Sequence, residues 1–375
     1  MQIDCAFEAG SIDVLDASDP SAISLSLRGD NASDFKQWFY FRVRDAVGIP
    51  CTFRVVNAGE SSYPGGWWEY RACASYDGES WFRVPTEHQG GPLIIRHTPE
   101  RDVVAYACFP AYPSERHQAL LAQARTSSRA SVLELGKSVE GRPMSVLSFG
   151  DQGRPVPRIW IIAHQHPGET MAAWFIEGLV WRLFDEGDPV ARALLDKAQI
   201  YIVPSMNPDG TARGNHRTNA AGRDLNREWL YPSPQTSPEV FLVRQAMVDG
   251  GIDMLLDVHG DESIPYVFAF GVEGIPSYSE RLAGLEDLFA RTLERIDGDF
   301  QREHGYERDR PGEADLRLAT EYVAERFDCL SIGLEMPFKD NANKRDEARG
   351  WSPERCRQLG RSIVETVLAC VDSLR

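Results

Sequence analysis

Four dense runs of apolar residues, separated by helix-like segments, constrain the fold of this chain more than any other feature. Such runs are typical of strands that are buried on both faces of a parallel or mixed sheet. The segments between them have the apolar spacing of helices, and Ser352 and Pro353 mark the start of a last helix over 353–373. The pattern predicts an α/β fold with a mixed sheet flanked by helices. The expected strands are 156–164, 199–206, 253–260 and 329–336, and the other expected helices are 170–185, 237–248 and 278–296.

The first part of the chain has a different pattern. Short β-branched and aromatic runs, separated by turn residues, are typical of a small antiparallel β-sandwich. A helix is expected over 114–126, with Ser114 as its N-cap. The sequence therefore predicts two domains, an N-terminal β-sandwich at 1–112 and an α/β domain at 113–375. The expected strands of the first domain are 23–30, 37–43, 51–57, 80–85, 92–98 and 103–110.

The charge balance limits the partners of the chain. Its 56 acidic and 40 basic side chains give a net charge of −16, which disfavours a general nucleic-acid or anionic-membrane binder. No apolar run approaches the roughly 20 residues of a membrane helix, and the acidic start lacks the features of a secretory signal. Seven scattered cysteines without a CxxC pair favour reduced thiols, and hence a cytoplasmic protein. A homo-oligomer is compatible with this sequence.

Two short motifs carry metal-binding side chains near the ends of predicted strands. His166 and Glu169 follow the strand 156–164 and are close enough in sequence to reach one ion. His259 lies at the end of another predicted strand, where functional residues of open α/β sheets gather. An HxxE pair is weak evidence by itself, and a single strand histidine is often a hydrogen-bonded core residue. Together the three side chains form the two-histidine, one-glutamate set of a catalytic zinc site and predict one Zn²⁺ per chain.

A glycine-rich loop between these motifs carries a second group of polar residues. Arg227 offers a planar fork for a carboxylate, and Asn226 can donate a hydrogen bond beside it. The alternative is that the arginines of this loop are simply exposed to solvent, and it holds unless a metal site lies nearby. Glu335 ends the last predicted strand, where a carboxylate is costly unless it is paired, hydrated or beside a metal.

These motifs, in this order, resemble those of the zinc carboxypeptidase superfamily. They are HPGE, NPDG, GNHR, GRDLNR, DVHG and LEMPF. The chain is most similar to the cytosolic carboxypeptidase branch, which includes the tubulin deglutamylases, because LRGD, QWFYFRV, GGWWEY and YACFPAYPS resemble the β domain of that branch. The likeness covers nearly the whole chain. It implies a zinc metallocarboxypeptidase, a peptide hydrolase whose substrate is the C-terminus of a peptide or protein.

The resemblance also implies roles for individual residues. The implied zinc ligands are His166, Glu169 and His259, and Asp224 would orient one of the two histidines. The implied catalytic and substrate-binding residues are Arg217 at the scissile carbonyl, Asn226 and Arg227 at the terminal carboxylate, and Glu335 as the general base.

One position departs from the pattern of the superfamily. Glu313 stands where the pancreatic relatives carry a tyrosine, and neither Tyr306 nor Tyr322 aligns with it, so no tyrosine role is predicted. His164 and His216 lie beside the motifs but match no ligand position, and we expect them to be loop residues or supports of the ligands.

The branch resemblance further implies removal of an acidic C-terminal residue, with glutamate expected. A chain of net charge −16 repels an acidic peptide at long range, so its site would need local positive charge. Because Arg217 and Arg227 have other implied roles, a third cation is required. The candidates are Arg308, Arg310 and Arg317, of which Arg317 is favoured. The alternative is that these arginines pair with the acidic residues around them on the surface.

Two other functions are compatible with parts of the pattern. A zinc amidohydrolase of the aspartoacylase or succinylglutamate desuccinylase type uses a similar ligand set, but the long N-terminal β domain and the adjacent NPDG and GNHR motifs fit it less well. A binding protein with a relic metal site is disfavoured because the implied ligands and Glu335 are all present. The sequence contains no GxSxG motif and no Cys/His pairing with comparable support. A mechanism through a covalent acyl-enzyme is therefore not expected.

Overall fold

The computed structural model describes residues 1–151 and 153–374. In its N-terminal part, the described residues form ten strands in two five-stranded sheets. These strands are β1 (Gln2–Asp4), β2 (Asp13–Asp16), β3 (Ile23–Ser26), β4 (Tyr40–Arg44), β5 (Cys51–Val55), β6 (Cys73–Ser75), β7 (Trp81–Arg83), β8 (Thr86–His88), β9 (Leu93–His97) and β10 (Val103–Ala107).

Aromatic side chains fill the space between these two sheets. Phe41 of β4 and Tyr106 of β10 belong to one sheet, and their ring centroids lie 5.6 and 4.9 Å from that of Phe53, on β5 of the other. All three side chains are fully buried. The predicted β-sandwich is therefore confirmed. It is antiparallel except for one pair, β3 and β5, which run parallel with Ile23 opposite Phe53.

The described residues after the β-sandwich form a seven-stranded mixed sheet with helices on both faces, which confirms the predicted α/β architecture. Its elements are α1 (Ser114–Thr126), β11 (Ala130–Lys137), β12 (Pro143–Phe149), β13 (Arg158–Ala163), α2 (Met171–Phe184), α3 (Pro189–Lys197), β14 (Gln199–Val203), α4 (Pro208–Arg213), α5 (Pro238–Gly250), β15 (Met254–Asp261), β16 (Phe268–Phe270), α6 (Glu280–Ile296), α7 (Ala319–Phe327), β17 (Leu330–Pro337) and α8 (Pro353–Cys370).

The central strands are buried on both sides because their apolar side chains pack alternately into two hydrophobic cores, one on each face of the sheet. Along β13, Ile159 and Ile161 lie in the core with α2 and α8, whereas Trp160 and Ile162 lie in the core with α5. The strand order is β11-β12-β14-β13-β15-β17-β16. Since β14, β13, β15 and β17 run parallel, their carboxyl ends share one edge of the sheet.

The helix ends test the predicted caps. The Ser352 hydroxyl accepts from the backbone N–H of Arg355 at the start of α8, as predicted. The prediction for Ser114 was wrong: α1 begins at this residue, Pro113 stands in the cap position, and the Ser114 hydroxyl donates to Glu8 instead. Among the described residues, no helix combines the length and the apolar character that crossing a bilayer requires.

Candidate active site

A cavity of about 970 Å³ opens at the carboxyl ends of β13, β15 and β17. Residues that follow parallel strands meet at this edge of a sheet, and β15 and β17 are in register so that His259 lies opposite Glu335. Of the predicted site residues, those that line the cavity are His166, Glu169, Arg217, Asn226, Arg227, His259 and Glu335.

The three predicted zinc ligands converge within this cavity. The Nδ1 atom of His166 lies 2.7 Å from Glu169 Oε1, and the Nδ1 atom of His259 lies 2.9 Å from Glu169 Oε2. One ligand atom from each residue lies within 4.8 Å of the other two. All three side chains are buried, and the backbone N–H of Gly260 donates to Glu169. Nitrogen and carboxylate donors at these separations suit one tetrahedral zinc ion.

Both histidines are held by carboxylates at their far nitrogens. His166 Nε2 lies 3.1 Å from Asp224, the predicted supporting residue, and His259 Nε2 lies 2.8 Å from Asp257. Gln165 donates to the same Asp257 carboxylate at 2.7 Å. A carboxylate partner fixes the tautomer and the ring orientation of a ligating imidazole, and here it directs both Nδ1 atoms toward Glu169, where a metal would bind. The residues present therefore fit the zinc ion that the resemblance implies.

The charges of the cluster compensate one another. Burial by itself would raise the pKa of Glu169, but the adjacent His166 and His259 hold it well below its ordinary range. Burial would likewise lower the pKa of His259, yet the carboxylates of Asp257 and Glu169 raise it well above the ordinary value. The arrangement favours a negatively charged ligand carboxylate, as cation binding requires.

The predicted substrate-binding residues face the same cavity. Arg217 donates from Nε to Asp224 at 2.9 Å, and although burial lowers its pKa, this carboxylate raises it above the usual range. The side-chain oxygen of Asn226 accepts from the N–H of Ala319 at 2.9 Å, and its NH₂ group lies 3.4 Å from His259 Nε2. Arg227 donates to the carbonyl of Asn226 at 2.8 Å. Two guanidinium groups and an amide thus stand near the metal-binding cluster.

Glu335 has an asymmetric environment. The hydroxyl of Tyr306 lies 3.0 Å from Glu335 Oε1 and 2.8 Å from Asp261. The other oxygen, Oε2, is buried and has no hydrogen-bond partner among the described residues. Burial raises the pKa of Glu335 well above its ordinary value, although the nearby His259 opposes this. A buried carboxylate with one unpartnered oxygen in a polar cavity can accept a proton from a reactant.

Sequence reasoning missed Tyr306 at this position. It belongs to the charged segment 297–317, which contains no helix or strand and of which residues 300–309 line the cavity. No periodicity indicates where such a segment lies. The sequence prediction also gave no role to Asp257, although alternation along a strand places it on the same face as His259, two residues later. Tyr63, from the N-terminal part, also lines the cavity, and no motif indicated it.

The structure does not bring Arg317 to the cavity. Its guanidinium forms a two-pronged pair with Asp315, its side chain is 60% exposed, and it is absent from the lining residues. The structure therefore does not support Arg317 as the third cation, because a nearby carboxylate already engages it outside the cavity. The Arg317–Asp315 pair is one that the surface alternative described. Of the other two candidates, Arg308 lines the cavity and pairs with Glu273.

The two histidines without a predicted ligand position stay outside the metal-binding group. His164 is buried with a positive φ of 61° and is hydrogen-bonded to the carbonyl of Pro167 at 2.8 Å. His216 lies 2.7 Å from Glu262. Both support loops around the site, as expected.

The family comparisons agree with this geometry. Residues 118–355 match the family described as "Zinc carboxypeptidase", and residues 3–109 match the "Cytosolic carboxypeptidase N-terminal domain". A metallo-carboxypeptidase from Burkholderia cenocepacia is 49% identical, with a TM-score of 0.96, and the alignment covers 100% of this chain and 99% of that one. A metallo-carboxypeptidase from Pseudomonas aeruginosa, solved with (2-guanidinoethylmercapto)succinic acid, is 46% identical over 100% of both chains, with a TM-score of 0.98.

Eukaryotic relatives are more distant. Cytosolic carboxypeptidase 6 of Mus musculus is 26% identical over 72% of this chain, and this chain spans about half (55%) of that relative's length. The two matched families and the two nearly full-length structural matches agree with the predicted resemblance. The chain belongs to the zinc carboxypeptidase family, carries the N-terminal domain of its cytosolic branch, and is a peptide hydrolase.

Proposed function

We propose that this protein is a zinc metallocarboxypeptidase that removes one residue from the C-terminus of a peptide or protein, with His166, Glu169 and His259 as the zinc ligands. The observation that carries the proposal is the placement of Arg227 and Asn226 in the cavity of the three-residue cluster. A guanidinium fork and an amide form a recognition site for a free α-carboxylate. An amidohydrolase of the aspartoacylase type is not favoured by the family matches.

The remaining roles follow from the chemistry of the side chains. Bound zinc would supply a Lewis acid and a water of lowered pKa. Glu335 takes the proton of the attacking water and passes it to the leaving amine, for which a pKa raised by burial is suited. Arg217, held by Asp224, donates to the carbonyl oxygen where negative charge develops. Tyr306 holds Glu335 in place by its hydroxyl contact.

The functional test compares free and amidated peptides. Wild-type protein with about one zinc per chain should release the last residue of a peptide with a free C-terminus. It should leave the amidated peptide intact, because amidation removes the negative charge of the α-carboxylate that Arg227 binds. Arg227→Ala should lower kcat/KM about 100-fold and retain its zinc. Arg302→Ala is the matched control, since this cavity arginine pairs with Asp287. Equal rates on both peptides, or turnover of N-acyl amino acids alone, would contradict the proposal.

The preferred residue has two candidates. Glutamate remains the prediction from the branch resemblance. A basic residue is the second candidate, because the described residues that line the cavity include eleven carboxylate side chains and four arginines. Of these arginines, Arg217, Arg302 and Arg308 already contact carboxylates. An acidic side chain would therefore have to displace an existing pair.

One buried carboxyl group favours the basic candidate. Glu321 lines the cavity, is 5% exposed, and has its pKa raised to about 7 by burial, with Asp309 adding to the rise. A cationic side chain would pair with it and remove this cost. The Pseudomonas relative was solved with a ligand that carries a guanidino group.

A peptide library that varies only the last residue, read by mass spectrometry, separates the two candidates. Preference for arginine or lysine, lost in Glu321→Gln but kept in Glu303→Gln at the exposed rim, would support the basic candidate. Preference for glutamate in all three proteins would support the acidic one.

Two further predictions concern the whole chain. We propose the division into a β domain at 1–112 and a catalytic domain at 113–375, which agrees with the two family matches. We also propose a reducing, cytoplasmic setting, because all seven cysteines are free thiols and six of them are buried.

A further inference from the structure

A carboxylate of the N-terminal β domain reaches the loop that carries Arg217. The Asp30 side chain accepts from the backbone N–H of His216 at 2.6 Å through Oδ1. Its Oδ2 accepts from the N–H of Arg217 at 2.7 Å, and from both the N–H and the hydroxyl of Thr218 at 2.8 and 3.1 Å. One buried carboxylate therefore binds three consecutive backbone amides, and charge-assisted bonds of this kind are strong.

The next residue of the β domain adds a second attachment. Asn31 donates to the carbonyl of Ala220 at 2.7 Å and accepts from the side chain of Asn215 at 2.6 Å. Asp30 and Asn31 thus hold the loop on both sides of Arg217. Helices and strands do not fix this loop by themselves, because residues 214–224 form only an isolated bridge between Thr218 and Asp224.

On its other side, the same loop contacts the metal-binding segment. The carbonyl of His216 accepts from the N–H of Gly168, which lies between His166 and Glu169. The approach is close: a Cβ atom on Gly168 would lie 2.4 Å from the His216 ring. Residues 216–218 are therefore enclosed between Asp30 and the metal-binding segment. From the backbone of residues 216–218, the Arg217 side chain extends to Asp224.

We propose that Asp30 is a positioning residue for catalysis: it fixes the backbone of residues 216–218 and thereby holds the Arg217 guanidinium in the cavity. The inference rests on the proposed role of Arg217 at the scissile carbonyl. It assigns the N-terminal β domain a direct part in the active site. A misplacement of about 1 Å in a catalytic group can lower a rate about 100-fold, so the loss of this attachment should reduce kcat more than it changes KM.

The experiment replaces Asp30 with asparagine, which keeps one accepting oxygen and replaces the other by an NH₂ group that cannot accept from the loop amides. Asp77→Asn is the matched control, because Asp77 accepts from Ser75, Glu79 and Ser80 within its own turn of the same domain. We expect Asp30→Asn to lower kcat about 10- to 100-fold with zinc content and melting temperature retained. Amide hydrogen exchange of residues 216–218 should accelerate at least about tenfold in Asp30→Asn and stay unchanged in Asp77→Asn.

A double-mutant cycle with Arg217→Ala tests whether Asp30 acts through Arg217. Added to Arg217→Ala, the Asp30→Asn change should lower kcat less than about threefold further, because the group that it positions is already absent. An equal loss in both backgrounds would overturn the inference, and so would unchanged amide exchange. If Asp30→Asn does not fold, Thr218→Val removes one of the four bonds and should show the same pattern at smaller amplitude.

The outcomes separate this inference from the proposed function. If the wild-type protein releases no C-terminal residue, the proposed function fails, and the exchange measurement still decides whether Asp30 fixes the loop. If the wild type is active and Arg217→Ala loses about 100-fold in kcat, the proposed function stands. Additive losses in kcat for Asp30→Asn and Arg217→Ala would then refute only the inference about Asp30.

Discussion

Glu335 illustrates how a single side chain combines an energetic cost of burial with a proposed catalytic role. Its carboxyl group is buried with one oxygen unpartnered, an arrangement that destabilises the ionised form and raises the pKa. The side chain lies in this environment because β17 is buried along all eight residues and its register with β15 sets Glu335 opposite His259. The same cost makes the group a stronger base once ionised.

At this scale we predict that Glu335→Gln abolishes turnover and keeps the metal. Glutamine has the same shape but cannot carry the proton, and general-base catalysis is typically worth 10²- to 10⁴-fold. Steady-state kcat should fall by at least about 100-fold, while elemental analysis should find the zinc content of the wild type. Glu303→Gln, a change to an exposed carboxylate of the same cavity, is the control and should keep its rate. More than about a tenth of wild-type kcat in Glu335→Gln would exclude the general-base role.

At the scale of elements, the crossing of α2 and α8 depends on two glycines. A Cβ atom on Gly178 would lie 2.1 Å from the Arg357 carbonyl, and one on Gly360 would lie 2.1 Å from the Phe175 carbonyl. These distances mean that the two backbones are in direct contact. Any side chain at either position would push the helices apart.

We therefore predict opposite effects for two glycine-to-alanine changes. Gly360→Ala should lower the free energy of unfolding by about 2 kcal/mol or more, because the methyl group meets rigid backbone. Gly284→Ala in α6 meets nothing within 4 Å, so it should be neutral or stabilise by up to about 1 kcal/mol through helix propensity. Urea denaturation of both variants provides the measurement. Similar effects of the two changes would contradict the contact between α2 and α8.

Glu239, in the first turn of α5, should make the stability of the protein depend on pH. Burial raises the pKa of Glu239 from 4.5 to about 7, despite a hydrogen bond from Asn219. Between these values the folded protein keeps a proton that the unfolded chain has lost. The stability that this group contributes is therefore complete below about pH 4.5 and is lost as the pH rises through about 7.

Glu239→Gln should remove this dependence. From pH 5 to pH 8, the wild type should lose about 2 kcal/mol more unfolding free energy than the variant. Glu115→Gln, an exposed change in the first turn of α1, should behave as the wild type. If the free energy of unfolding changed with pH in the same way for the wild type and Glu239→Gln, Glu239 would not be the cause of the pH dependence.

At the scale of the whole molecule, the two domains share one core. Buried side chains of the β-sandwich and of α2 and α8 belong to a single apolar cluster. Arg83 on β7 extends this contact, because its guanidinium donates to the carbonyls of Phe338, Arg349 and Trp351. The domains are distinct in architecture, but buried side chains of both contribute to this one core.

We predict that heat unfolds the chain in one transition. Curves from far-ultraviolet circular dichroism and tryptophan fluorescence should coincide, since neither domain keeps its core without the other. Calorimetry should give a single peak with equal calorimetric and van't Hoff enthalpies. Two resolved peaks, or a protease-resistant fragment near residues 113–375, would show that the domains fold independently.

Local patterns in the sequence determined the elements and most of the site. The four apolar runs predict the central strands because an apolar segment of that length is stable only when it is buried on both faces. The ordered motifs predict which side chains follow those strands, and parallel strands bring their ends to one edge. The grouping of His166, Glu169, His259 and Glu335 therefore follows from the sequence alone.

Only the tertiary structure decided the contributions of irregular segments and of the β domain. Tyr306 reaches Glu335 from a segment without periodicity, Arg317 is drawn away by Asp315, and Asp30 contacts a loop almost two hundred positions later. No local pattern records such contacts. They arise when the packed cores place separate segments side by side, and the hydrogen bonds then form between whichever polar groups meet.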